Sequence, residues 1–130
     1  MSHPIINVGR YHGGSDDWRT PYRLFHNLHR EYSFSLDGAA TEHDALLPRF
    51  TDDINRQSWV GERVFVNPPF SMAEQFLAKA PEADVCVCLV PHRSKTITGF
   101  GVYIQTPSCM RFEHYTERLN TFHQQEREVL

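Results

Sequence analysis

Val64-Phe65-Val66 runs directly into Asn67-Pro68-Pro69-Phe70, and no other stretch of the chain restricts the fold so tightly. Branched and aromatic side chains favour an extended strand. Proline brings no N–H to a ladder and drives the residue before it toward extended geometry, so the strand must stop at Asn67. The Pro68 carbonyl is then expected to point out of the strand end beside the Asn67 amide. Two acceptors, Asn67 Oδ1 and the Pro68 oxygen, would face one spot, with the Phe70 ring beside them. A planar molecule carrying an exocyclic NH2 group matches that set, both N–H donors being accepted and the ring stacked. The chemistry suggested is methylation of an amino nitrogen, with Asn67, Pro68, Pro69 and Phe70 as the reacting corner. The competing reading is a plain turn. The β-run before the motif and the Ser71/Glu74 capping box after it favour the site.

Elements on either side fall into an alternating pattern. Thr20-Pro21 starts a helix, with Thr as cap and Pro at the first helical position, and Leu24, Phe25, Leu28 and Tyr32 follow at helical spacing. Phe34-Ser35-Leu36-Asp37 reads as a short strand stopping at Gly38. A helix is predicted over Ala39 to Leu47, broken at Pro48, and a second short strand at Arg49-Phe50-Thr51. Asp52 to Gly61 reads as a loop anchored by Trp59. Ala73, Phe76, Leu77 and Ala80 give the next helix its core stripe. Asp84 to Val90, bounded by prolines at 81 and 91, predicts a fully buried strand of a parallel sheet. Ile97 to Ile104 has mixed periodicity, and Cys109 to Phe112 reads as a strand. Strands alternating with helices predict a doubly wound, mostly parallel α/β sheet that binds ligands at the carboxyl ends of its strands. Asp37 and Asn67 both stand at such ends.

Composition narrows the class. A chain of 130 residues with 40% hydrophobic and 22% charged residues is one globular domain. A net charge of −3 excludes a histone-like polybasic binder while leaving room for a local basic face. Cys86 and Cys88 face one side of a strand as reduced core thiols, consistent with a cytosolic protein. The eight histidines show neither H-E-x-x-H nor C-x-x-C company, so no metal site is expected. No G-x-G-x-x-G or P-loop pattern is present. Asp37-Gly38-Ala39-Ala40 after a strand reads equally as a ligand-approach turn or a capped turn. Asp17-Trp18-Arg19-Thr20-Pro21 brings an aromatic side chain to a helix N-terminus, which attracts a carboxylate, though a plain cap explains it as well. Arg93 and Lys95 follow the buried strand onto the rim of the expected site and are the favoured phosphate contacts. Arg19, Arg23 and Arg30 along the first helix are the other candidates.

In chain order these pieces resemble the phage-type DNA N6-adenine methyltransferases, relatives of the Dam enzymes. The resemblance rests on Asp16-Asp17-Trp18-Arg19-Thr20-Pro21 with Leu24-Phe25, then Leu36-Asp37-Gly38-Ala39-Ala40, then Pro48-Arg49-Phe50. It continues through Trp59 to Phe70, Pro91-His92-Arg93-Ser94-Lys95-Thr96 and Arg118-Leu119-Asn120-Thr121-Phe122. It implies a Rossmann-like methyltransferase fold and S-adenosylmethionine held near Trp18, Thr20, Pro21, Asp37, Gly38 and Ala39, with Asp52 or Asp53 at its ribose or adenosine. It also implies adenine of double-stranded DNA as substrate, flipped into the Asn67–Phe70 pocket, in the cytoplasm of a bacterial host of a phage or prophage. Asp44 stands where relatives often carry Asn. The expected organisation is an arm over 1–15, the methyltransferase domain over 16–123 and a polar tail over 124–130. Because Gln124 to Leu130 is short and charged, the sheet is expected to lack its last strand, and a homodimer would cover the exposed edge. No membrane segment is expected. Two alternatives stay open: amino-group methylation of RNA or protein glutamine, and a shortened relative that binds DNA or cofactor without turnover.

Overall fold

The computed structural model describes residues 19–93, 98–116 and 121–129, and side chains over 19–91 and 99–115. The arm read over 1–15 and the Arg118-Leu119-Asn120 correspondence lie outside the described residues. Helix α1 spans Tyr22–Tyr32 and buries Leu24, Phe25, Leu28 and Tyr32, the stripe its spacing demands. Pro21 occupies the N-cap position rather than the first helical one, and no side chain caps the helix. Ser33 ends α1 in the left-handed region, φ 51°.

Six strands form one sheet: β1 (Leu36–Asp37), β2 (Arg63–Val66), β3 (Val85–Arg93), β4 (Thr98–Gln105), β5 (Met110–Thr116) and β6 (Thr121–Val129). Helix α2 (Ala73–Lys79) lies between β2 and β3. The sheet order follows the chain order. β1 pairs with β2, and β2 with β3, in parallel. β3–β4, β4–β5 and β5–β6 are antiparallel. The fold is therefore mixed α/β, with parallel strand pairing confined to β1–β2–β3 among the described residues, which corrects the mostly parallel expectation. Connection length is the physical reason. Parallel neighbours need a crossover of a dozen or more residues, which 38–62 and 67–84 supply. The spacings between β3 and β4, β4 and β5, and β5 and β6 are too short for such a crossover. Residues 124–129, read as a polar tail, belong to β6 at the sheet edge.

Alternation along the strands divides the core between the two faces of the sheet. Val64, Val66, Cys86 and Cys88 pack with Phe76 and Ala80 of the α2 side, together with Trp59. Phe65, Val85, Val87 and Leu89 pack with Leu24, Phe25 and Leu28 of α1, and with Phe100, Val102 and Tyr115. Helices thus cover opposite faces. Cys86 and Cys88 are free, buried and on one side, as expected, and burial pushes the Cys86 thiol up to about 12. β3 runs through Pro91 instead of stopping there. Past Cys88 it has a neighbour only in β4, and proline is tolerated at such one-sided positions.

Three local expectations are corrected. Ala39 to Leu47 forms turns, not a helix, because side-chain oxygens take the N–H groups a helix would need. Asp44 Oδ1 accepts from Thr41 N at 2.7 Å and from Thr41 Oγ1 at 3.1 Å, and Asp37 Oδ2 accepts from Leu46 N at 3.1 Å. Arg49-Phe50-Thr51 shrinks to a single parallel bridge from Phe50 to Asp37. Ser71 is not the cap of α2. A 3-10 turn over Phe70–Met72 comes first, and the α-helix starts at Ala73 with Met72 as its N-cap.

Candidate active site

β2 ends at Val66, as the prolines require, and Asn67 projects from its carboxyl end. The Asn67 Nδ2 donates to Thr20 Oγ1 at 2.9 Å, tying the strand end to the residue two before α1. Thr20 was expected to cap the helix; its hydroxyl accepts from the asparagine instead. An amide whose NH2 end is engaged in this way offers its oxygen in a defined direction. Asn67 Oδ1 lies below the protein surface. Pro68 and Pro69 are buried, while the Phe70 ring is 54% exposed at the rim. The Pro69 carbonyl accepts from Met72 N at 2.8 Å, which turns the chain into the 3-10 segment and holds Phe70 outward.

Asp37 ends β1, beside β2, because Asp37 pairs in register with Phe65. Its backbone is held on both sides: Gly38 N donates to Phe65 O at 2.8 Å, and Thr51 N donates to Asp37 O at 3.0 Å. The carboxylate is 3% exposed and accepts from Ala39 N at 3.4 Å and Leu46 N at 3.1 Å. Burial raises its pKa from 3.8 to about 6, with a smaller push from Asp44 and opposition from the two backbone N–H groups. Among the described residues no cation pairs with it. A buried carboxylate without a counter-cation among the described residues suits a cationic ligand.

The other expected site residues fall as follows. Gly38 is small for a packing reason: a Cβ there would meet Trp59 Cζ2 and Val64 Cγ1 at 3.0 Å each. Its missing side chain therefore makes room for the indole. Ala39 is buried beside it, and Pro21 is half-buried. Asp53 is buried past the Phe50 bridge, so the backbone brings it to the same edge as Asp37. Its Oδ1 accepts from Asn55 N at 2.9 Å, and its Oδ2 lies 4.0 Å from Arg56 Nη2. Arg93 ends β3 at the same edge, since β3 runs parallel to β2 and continues beyond the Val66–Cys88 pair. Trp18 and Lys95 lie outside the described residues.

Sequence reasoning missed two contacts. One is the Thr20–Asn67 bond, which spans 47 positions and leaves no local signal. The other is the Arg49–Glu62 pair, bidentate at 2.8 Å on both oxygens and joined by Ser35 Oγ at 2.7 Å. It locks the Pro48-Arg49-Phe50 segment at the opposite, amino end of β2. Among the described residues no group of three His, Cys, Asp or Glu side chains is placed to hold a metal, and no helix is long and apolar enough to cross a membrane.

No curated protein and no solved structure matches this chain. A family model described as DNA N-6-adenine-methyltransferase (Dam) does match, over residues 11–92. That span holds Thr20, Asp37 and the Asn67–Phe70 corner and covers more than half of the 130 residues, so the chain belongs to the DNA N-6-adenine-methyltransferase (Dam) family.

Proposed function

We propose that the chain transfers a methyl group from S-adenosylmethionine to the N6 amino group of adenine in double-stranded DNA, acting on a base flipped out of the duplex. One observation carries this reading: the Asn67 amide, at a strand end, is anchored through Nδ2 to Thr20. That anchoring makes Oδ1 the atom the side chain offers to an incoming N–H.

Adenine N6 is a poor nucleophile because its lone pair is delocalised into the ring. Accepting its N–H groups at Asn67 Oδ1 and the Pro68 carbonyl favours a tetrahedral nitrogen whose lone pair is free to attack. Phe70, exposed at the rim, holds the ring plane by stacking. Positioning and electrostatics supply the rate, with no covalent link to the enzyme. S-adenosylmethionine, when bound, supplies the electrophilic methyl group. Asp37 offsets its positive charge, Thr20, Pro21 and Trp18 flank its methionine part, Gly38 and Ala39 shape the turn beside it, and Asp53 takes a ribose hydroxyl. Arg93 and Lys95 contact phosphates. Oδ1 is buried, so access by adenine requires a local opening, and that opening is part of the proposal. The parallel β1–β2–β3 half with helices on both faces supports a Rossmann-like ancestry, and a bacterial cytoplasm is the compartment where this chemistry belongs.

The test is transfer of labelled methyl from S-adenosylmethionine to duplex DNA, followed by digestion to nucleosides. N6-methyladenine is the expected product. Asn67→Ala should lower kcat by roughly 100-fold or more while cofactor affinity stays near wild type. Label found only in RNA or protein, or full activity in Asn67→Ala, rejects the reading. The burial of Oδ1 supports a second reading, binding without turnover. Calorimetry with cofactor beside the transfer assay separates the two.

A further inference from the structure

Most described cations in this structure are committed to an acceptor within the protein. Arg49 pairs with Glu62, Arg56 with Asp52, and Lys79 with Glu82. Arg63 donates to the Tyr32 carbonyl, and Arg111 donates to Tyr32 Oη at 2.6 Å and lies 3.3 Å from Glu113. Arg19, Arg23 and Arg30 are different. All three are exposed, and none has an ion pair or hydrogen bond among the described residues.

Their placement is ordered. Arg23 and Arg30 are seven positions apart on α1, two helical turns, so they stand on one line with His26 between them. Arg19 lies four positions before Arg23, just ahead of the helix and next to Thr20. The buried residues Leu24, Phe25, Leu28 and Tyr32 occupy the opposite side. No acid sits in the first turn of α1, and the one acid on the helix, Glu31, is 4.0 Å from Arg111. The stripe therefore begins beside the residue that holds Asn67 and leads away from it along the surface.

We propose that this face of α1 binds the phosphates of a DNA duplex, flanking the site at which the base is taken. The inference rests on the reading of DNA as substrate. The argument is charge complementarity. A chain of net charge −3 repels a polyanion as a whole, so association must be carried by a local cluster of cations. Uncommitted guanidiniums bind phosphate without first breaking a pair in the protein. Arg23 and Arg30 are separated along α1 by about 10 Å, at about 1.5 Å per residue. Over that length of duplex axis one strand carries about three phosphates, at about 3.4 Å of axial rise each. Tyr22, 72% exposed and stacked on His26 at 5.9 Å, adds an aromatic edge to the same surface.

Fluorescence anisotropy with a labelled DNA duplex, over a salt series, tests this with the full chain. The variant Arg19→Gln/Arg23→Gln/Arg30→Gln should weaken binding at least about tenfold near physiological salt and flatten the log–log salt slope by about 2.7, at about 0.9 for each lost phosphate contact. Glutamine has nearly the helix propensity of arginine, so circular dichroism and cofactor affinity should stay as in wild type. The corresponding triple lysine variant keeps the charge and should retain most of the slope. A triple glutamine variant that binds duplex as wild type does, or a wild-type protein that binds no duplex, overturns the inference. Tighter binding of an RNA duplex through the same three residues overturns DNA as the occupant. Methyl transfer is no part of this readout. A protein that binds DNA through α1 but transfers nothing sinks only the functional reading, and a methylating protein whose triple variant binds normally sinks only the inference.

Discussion

A primary amide has two chemically opposite ends, and at Asn67 the Thr20 hydroxyl sorts them by accepting from Nδ2. A hydrogen bond of this kind contributes about 0.5–1.5 kcal/mol net. Thr20→Val keeps the side-chain shape but removes the acceptor. It should lower kcat roughly tenfold, because the amide loses its orientation, with a smaller rise in the KM for cofactor, whose methionine part Thr20 flanks. Thr20→Ser should restore the rate. A raised cofactor KM at wild-type kcat would instead mean that Thr20 serves the cofactor alone and does not orient Asn67. Asp37 presents a different residue-scale problem, a carboxylate buried without a counter-cation among the described residues. Its pKa is raised to about 6, so the folded state holds a proton more tightly than the unfolded chain. The stability this brings is present in full below about pH 3.8 and is lost as pH rises through about 6, a swing of about 3 kcal/mol. Urea titrations of wild type and Asp37→Asn at pH 4 and pH 7.5 should show wild type losing ground to the variant as pH rises. Cofactor affinity should move the opposite way, falling below about pH 6, because the cationic ligand prefers the ionised form. A gap between the two proteins that is independent of pH would contradict this.

At the scale of elements, short connections decide the sheet and short side-chain contacts decide the loops. The turn after β1 holds because Gly38 lets Trp59 lie against the strand end, with Trp59 itself fully buried. Gly38→Ala places a methyl 3.0 Å from Trp59 Cζ2 and Val64 Cγ1, tighter than ordinary contact. It should cost about 1–3 kcal/mol, read from the urea midpoint, with the slope of the transition unchanged. The stripe of α1 and the pattern of α2 were legible from spacing alone, as was the stop at Asn67. The failure of Ala39 to Leu47 as a helix was not, because it depends on Asp37 Oδ2 accepting from Leu46 N, nine positions away. Periodicity carries no information about such a bond.

For the whole molecule, parallel pairing of β1, β2 and β3 puts Asp37, Asn67 and Arg93 on one edge. The antiparallel β4–β6 half extends the sheet without a change of strand order. Helices α1 and α2 cover separate clusters on opposite faces, and the Thr20–Asn67 bond links the start of α1 to the end of β2. Charge is divided in the same way. Pairs within the protein consume the cations around the loops and β5, whereas α1 keeps its arginines facing outward.

Where a strand must halt, which helix face turns inward, and which residues resemble a methyltransferase corner were readable from Val64 to Phe70 and from apolar spacing. Those properties arise from bonded neighbours and short-range sterics. The direction of the later strands, the partner of Thr20 and the isolation of Asp37 from any described cation came only with the folded chain. Each depends on groups far apart in sequence meeting across the sheet, and nothing local to either partner records the meeting.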